Sequence, residues 1–171
     1  MPPPTFPVGP FEPSRPDAAA RDSLIVELAR TPSVFADVVR SLTDAQLDTR
    51  YVNWSARTIV HHVADSHLNC YVRFKWALTE DTPTIKPYDE TAWAALPDTG
   101  ADVSLGLNLL AAVHAKWDAL LRAMDDAAFA RPFHHPESGE TLPLAEVLPL
   151  YTWHTRHHAG QIAWLRREHG W

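Results

Sequence analysis

Apolar residues recur along this chain at the three- and four-residue steps of a helix, in four separate stretches. The first covers residues 17–42, where Leu24, Ile25, Leu28, Phe35, Val38, Val39 and Leu42 share one side. Pro32 lies inside it and cannot donate to the preceding turn, so it predicts a kink or a break with a restart near Thr31. A connection over residues 43–54 follows, with a single turn at 44–47. The second helix starts after Ser55 as N-cap and runs to about Leu78, with the stripe Ile59, His62, Val63, Ser66, Cys70 and Phe74 facing inward. The third spans roughly Asp102 to Met124 and carries Leu107, Leu110, Ala111, His114, Trp117, Leu120 and Leu121 on its apolar side. The fourth spans about Leu142 to Glu168, with Thr141 as N-cap, Pro143 in the first turn and Pro149 deeper, where it kinks the helix or delays its regular start. No strand-like alternation competes and no repeat is evident, so the pattern predicts an all-α four-helix bundle over residues 17–171.

The connection over residues 79–101 contains Pro83, Pro87, Pro97 and Gly100, with a short turn expected around 90–96. Connections of this length are uncommon in compact domains unless they serve a function. Its Lys86, Tyr88, Asp89, Glu90 and Trp93 are candidates for a lid over a site, a dimer contact or a packed surface loop. A second connection, 125–141, holds Pro132, Pro136, Gly139 and the pair His134-His135, expected to be solvated.

Residues 1–16 contain seven prolines and read as a stiff, extended arm whose Phe6, Val8 and Phe11 are available for docking on the body. The arm lacks a basic segment followed by an apolar one, so it is not a signal peptide. No apolar stretch approaches the roughly 18 residues of a membrane span. The expectation is a cytoplasmic protein with no membrane partner. The formal net charge is -6, opposite in sign to the footprint of a nucleic-acid binder. A single cysteine, Cys70, excludes an intrachain disulfide and a zinc site built on several thiolates, and it reads as a small core residue.

Ten histidines change the picture. At about 100° per residue, His154 and His158 of the fourth helix lie on the stripe that also carries Val147, Tyr151, Gln161, Ile162 and Leu165. They face the core one turn apart, while His62 sits on the inward stripe of the second helix. Three buried imidazoles need partners. Either they hydrogen-bond to backbone and hydroxyl groups, or they share a divalent cation such as zinc, nickel, copper or iron, with a coordination position left open. His61 and His157 point to the flanks of their helices, and His114 is a core or pocket histidine.

Longer segments carry a resemblance. Residues 54–66 (WSARTIVHHVADS) and 151–162 (YTWHTRHHAGQI) resemble the second- and fourth-helix signatures of the DinB/YfiT-like superfamily. Residues 73–90 (RFKWALTEDTPTIKPYDE), the Pro-Val-Gly of the arm and the terminal Gly170-Trp171 are similar to its YfiT branch. The resemblance covers nearly the whole chain. It implies a homodimeric bundle with one zinc or nickel ion per chain on His62, His154 and His158, and an activity of metal-dependent hydrolysis or of thiol transfer using bacillithiol, mycothiol or glutathione.

Two chemistries suit such a site, beside a non-catalytic role in which the metal staples the bundle in a stress-related binding protein. A neutral three-histidine shell leaves the ion's charge uncompensated, so a bound thiol ionises below its free pKa of about 8.5 and attacks an electrophilic substrate. Hydrolysis would use an ionised water and a general base, and Asp65, about 60° around the helix from His62, is the nearest acid in sequence. The expected main activity is thiol transfer. Asn69, Gln161, His114 and Tyr88 are the candidate substrate contacts.

Overall fold

Pro32 breaks the first helix. In the computed structural model, which describes residues 2–171, the stretch is two helices, α1 (Ala18–Leu28) and α2 (Thr31–Val39). Pro32 stands in the first turn of α2, where its missing N–H costs nothing. A one-turn helix, α3 (Asp44–Leu47), carries a capping box in which Thr43 and Gln46 bond reciprocally. Ser55 caps α4 (Ala56–Thr79) through the Thr58 amide, as expected. The long connection contains α5 (Glu90–Ala94) and a 3₁₀ turn, Pro97–Gly100. Asp102 caps α6 (Val103–Arg122), and α7 (Asp126–Phe129) is again one turn.

A hairpin that the helical pattern left out follows. Strands β1 (Pro132–His135) and β2 (Glu140–Pro143) pair antiparallel, with Phe133 opposite Leu142. Phe133 is buried, and Gly139 takes the left-handed conformation in the turn. The hairpin corrects two expectations. Thr141 is paired to His134 inside β2 and caps nothing, so Pro143 occupies the N-cap position of α8 (Leu144–His169) without a side-chain cap. His134 and His135 are strand residues rather than solvated loop residues, and a ring nitrogen of His135 is buried. Four-residue strands are too short to register as an alternating pattern.

The four long bundle elements are α1–α2, α4, α6 and α8. Val60 and His61 meet Gly106, and His67 meets His114, so α4 and α6 run parallel. His62 meets His154 and Ser66 meets Tyr151, so α8 runs antiparallel to α4. Parallel neighbours require a crossover, and this is why the connection between α4 and α6 is long. The crossover is pinned to the hairpin by the Ile85 amide on the His134 carbonyl and the His134 amide on the Pro83 carbonyl, at 3.0 and 2.9 Å.

The core is split in two. One apolar cluster holds Leu28, Phe74, Trp117, Phe133, Leu144 and Tyr151; the other holds Phe35, Ile59, Val63, Leu110, Ile162 and Leu165. Between them lies a polar layer of buried His62, Ser66, His67, His114, Thr155 and His158, in which the Thr31 and Thr155 hydroxyls bond at 2.9 Å. The proline-rich arm lies along α8: Phe6 and Phe11 pack on the Trp153 ring, whose Nε1 donates to the Gly9 carbonyl at 2.9 Å. Among the described residues no helix is long and apolar enough to cross a membrane.

Arg57 ties the start of α4 to its surroundings. It donates to Asp48 at 2.7 Å, Asp44 at 2.8 Å and the Ala101 carbonyl at 3.3 Å. Its head is buried while both carboxylates remain largely exposed and can rehydrate. Arg57→Ala is therefore expected to cost about 1–3 kcal/mol, read as a lowered urea midpoint. An unchanged midpoint would show that these bonds only replace bonds to water.

Candidate metal centre

α4 contributes His62 and α8 contributes His154 and His158; one donor atom from each lies within 4.8 Å of the other two. His62 Nε2 and His154 Nε2 are 3.3 Å apart. Two nitrogens on one tetrahedral ion, each about 2.0–2.1 Å from it, would stand roughly 3.3–3.4 Å apart. The three residues thus fit a divalent cation without rearranging that pair. Each ring is also held from behind. Trp54 packs on His62 with centroids 4.4 Å apart, His158 Nδ1 faces Gln161 Oε1 at 2.8 Å, and His154 Nδ1 faces His67 Nε2 at 3.2 Å.

Burial keeps these rings neutral. It pushes His62 down to about 4, and it holds His154 and His158 well below 6.5, with neighbouring imidazoles adding to the effect. No carboxylate belongs to the cluster among the described residues, so the donor set is wholly uncharged at neutral pH.

The buried histidines make the metal-free protein sensitive to acid. His62 and His114 titrate near 4 in the fold and near 6.5 when unfolded. Between those values the unfolded chain binds more protons, so stability is full above 6.5 and falls as pH drops toward 4. Each group contributes on the order of 3 kcal/mol of this loss. Half-buried Asp65 works in the opposite sense: burial, then the charge of Asp98, lifts its carboxyl to about 6, so its contribution is lost as pH rises through 6. Urea unfolding of chelator-treated protein should show a lower midpoint at pH 5 than at pH 7. A flat midpoint would contradict the burial of neutral rings.

A cleft adjoins the centre, apolar beside His154 and more polar toward the crossover. A cavity of about 430 Å³ reaches from His154 past Tyr151, Cys70, Arg73 and Glu90 to the hairpin. A second of about 470 Å³ shares Ser66, Arg73, Glu90, His135 and Tyr151 with it and adds Tyr88 and Asp89 from the crossover. Tyr88 therefore lines the cleft, and burial pushes its phenol up to about 12. The crossover borders the cleft through Pro87 to Thr91.

The other candidates are placed elsewhere. Asp65 is outside the histidine cluster, and Asn69 Nδ2 donates to the Asp65 carbonyl at 2.9 Å. Gln161 bridges His158 and His157. His114 bonds to His67 at 2.8 Å rather than lining the cleft. Cys70 is buried, which raises its thiol beyond the normal range and makes it a poor nucleophile.

His67 is the buried histidine beside the cluster that helical periodicity misses. It lies about 140° around α4 from His62, off the inward stripe. It is nevertheless fully buried, because α4 is covered by α6 on one side and α8 on another. The signal available in the sequence was a histidine on the apolar side of α6, His114, in need of a partner.

The family model described as the DinB superfamily matches residues 27–162. The Bacillus subtilis (strain 168) protein named "Putative metal-dependent hydrolase YfiT" is 44% identical over 171 residues, covering 98% of this chain and 96% of its own. The solved structure of YfiT, described as having an unusual four-helix bundle topology, covers 98% of each chain with a TM-score of 0.94. A mycothiol-dependent maleylpyruvate isomerase shares the fold alone: it is 19% identical, with a TM-score of 0.65 over 81% of this chain and 59% of the isomerase.

Proposed function

The chain belongs to the DinB superfamily, and from that membership and the histidine geometry we propose that it is a divalent-metal-dependent enzyme, with one zinc or nickel ion per chain on His62, His154 and His158, that transfers a low-molecular-weight thiol to an electrophilic substrate. The observation that carries the reading is an uncharged three-imidazole donor set whose His154 borders a largely apolar cleft. A divalent ion held there would supply uncompensated positive charge, which would favour the thiolate form of a nearby thiol.

The protein's own groups hold the reactants. Among the described residues Arg73 is the only arginine or lysine lining the two lobes of the cleft, and it suits a carboxylate of the thiol compound. Glu90 and Glu146 suit an amino group, and Phe133, Leu150 and Tyr151 supply apolar wall for the electrophile. Transfer asks for no general base, and the cluster contains none.

Hydrolysis is the second reading, favoured by the name that YfiT carries and by Glu90. Burial raises the Glu90 carboxyl, which lines the cleft and suits proton abstraction. The proposal places the protein in the cytoplasm as a homodimer, a state that light scattering would test.

The deciding experiment follows thiol consumption with bacillithiol, mycothiol and glutathione, against an aryl halide acceptor, in the metal-loaded and metal-free protein. Metal-dependent conjugation with at least one thiol is expected. No rate above the metal-free control with any of the three would overturn transfer. Metal-dependent ester or amide cleavage without loss of thiol would select hydrolysis.

A further inference from the structure

Two buried imidazoles, His67 and His114, stand in a row behind His154 of the metal centre. His114 sits beside the backbone carbonyl of Leu28, which favours a proton on the ring nitrogen turned toward it. Its Nε2 lies 2.8 Å from His67 Nδ1, and His67 Nε2 lies 3.2 Å from His154 Nδ1. Leu28 is the last residue of α1, one of the positions whose carbonyl a helix leaves without an intrahelical donor.

Proton counting along this row allows one arrangement once the Leu28 carbonyl sets the His114 tautomer. A carbonyl oxygen only accepts, and a neutral imidazole has one N–H and one lone pair. His114 Nε2 faces His67 Nδ1, so the nitrogen the Leu28 carbonyl favours for the proton is Nδ1; His114 Nε2 then accepts and His67 Nδ1 donates to it. His67 then has a bare Nε2, to which His154 Nδ1 must donate. His154 is left with its lone pair on Nε2, the atom 3.3 Å from His62 Nε2.

We propose that His67 and His114 are positioning residues for the metal centre: a tautomer ladder anchored on the Leu28 carbonyl holds His154 with Nε2 bare toward His62 and His158. Metal-binding histidines ordinarily donate their second N–H to a carboxylate, a carbonyl or water. Here the carbonyl acts from two rings away. The ladder leaves the ligand without an anionic partner, so the donor set stays uncharged and the cation keeps its full pull on a bound group. Gln161 does the equivalent for His158 in a single step, its Oε1 accepting from Nδ1.

The inference rests on the metal-centre reading, and the tests separate the two. The first uses ¹⁵N-histidine-labelled protein without metal and reads each ring's tautomer from long-range ¹H–¹⁵N correlations, assigned with single His→Gln variants. His114, His67 and His154 should all carry the proton on Nδ1. An Nε2–H form of His154 overturns the ladder, whether or not the protein binds metal.

The second test measures zinc affinity by chelator competition, beside the thermal midpoint of the metal-free protein. His67→Phe removes the acceptor for His154 and should weaken zinc binding about 10–100-fold. His67→Gln offers an amide oxygen to His154 and an N–H to His114, and it should recover most of that loss. Native affinity in His67→Phe, or a Gln variant no better than Phe at matched metal-free stability, would reduce His67 to packing. If no form binds zinc, the metal-centre reading fails while the tautomers still decide the ladder.

Discussion

His158→Ala is expected to strip the protein of stoichiometric metal while leaving its helices formed. His158 is a buried donor of the three-imidazole set, and two histidines remain after its removal. Losing a residue that merely supports a ligand costs metal sites about 10–100-fold in affinity, and losing a ligand costs at least as much. The substitution also frees Gln161 Oε1, which then faces the new space and can bind water. The helix itself is safe, because alanine is the strongest helix former and the site lies in the polar layer rather than in either apolar cluster. Plasma mass spectrometry of untagged protein prepared without added nickel should find about one equivalent of transition metal in the native chain and a small fraction in the variant, with equal far-UV circular dichroism. Full metal in His158→Ala would remove this triad as the ligand set. A native chain that contains no metal and takes up neither zinc nor nickel would remove both enzymatic readings.

Trp117→Ala should have the largest effect on stability, about 3–5 kcal/mol, out of the roughly 5–15 kcal/mol typical of a domain. Trp117 is fully buried in the first apolar cluster. Its ring packs edge-on against Phe74 at 5.3 Å and Tyr151 at 5.7 Å, and it borders His114 at 5.8 Å and His67 at 6.1 Å. Truncation opens a cavity that α4, α6 and α8 must all move to fill, and it removes the apolar floor beneath the histidine row. The indole N–H has no hydrogen-bond partner among the described residues. Trp117→Phe therefore keeps most of the packing, discards an unsatisfied donor, and should cost markedly less than the alanine variant. Urea unfolding distinguishes the two. Equal losses would mean that the indole's outer ring, rather than the cavity as a whole, carries the stability.

Much of the architecture was legible along the chain. Ser55 and Asp102 mark real helix starts, and Pro32 marks a real break. Each is local chemistry: a side chain that caps an amide, a ring that lacks one. The hairpin was missed because four residues per strand present only two inward positions, and Phe133 opposite Leu142 has meaning only once they are paired. Thr141 was misread as a cap for the same reason, since pairing with His134 claims it first.

The site divides along the same line. His62, His154 and His158 share the stripes of their helices with apolar residues, so helical period alone determined that three imidazoles face the interior. Length, periodicity and the prolines likewise determined a mostly helical body and a proline-rich arm. Only the tertiary structure decided which nitrogens face one another, that Asp65 lies outside the cluster, and that His67 and His114 stand behind His154. The physical reason is one of range. A helix sets the angle of each side chain about its own axis. The 2.8 to 3.3 Å separations that give imidazoles their roles arise where α4, α6 and α8 cross, between residues as far as 92 positions apart.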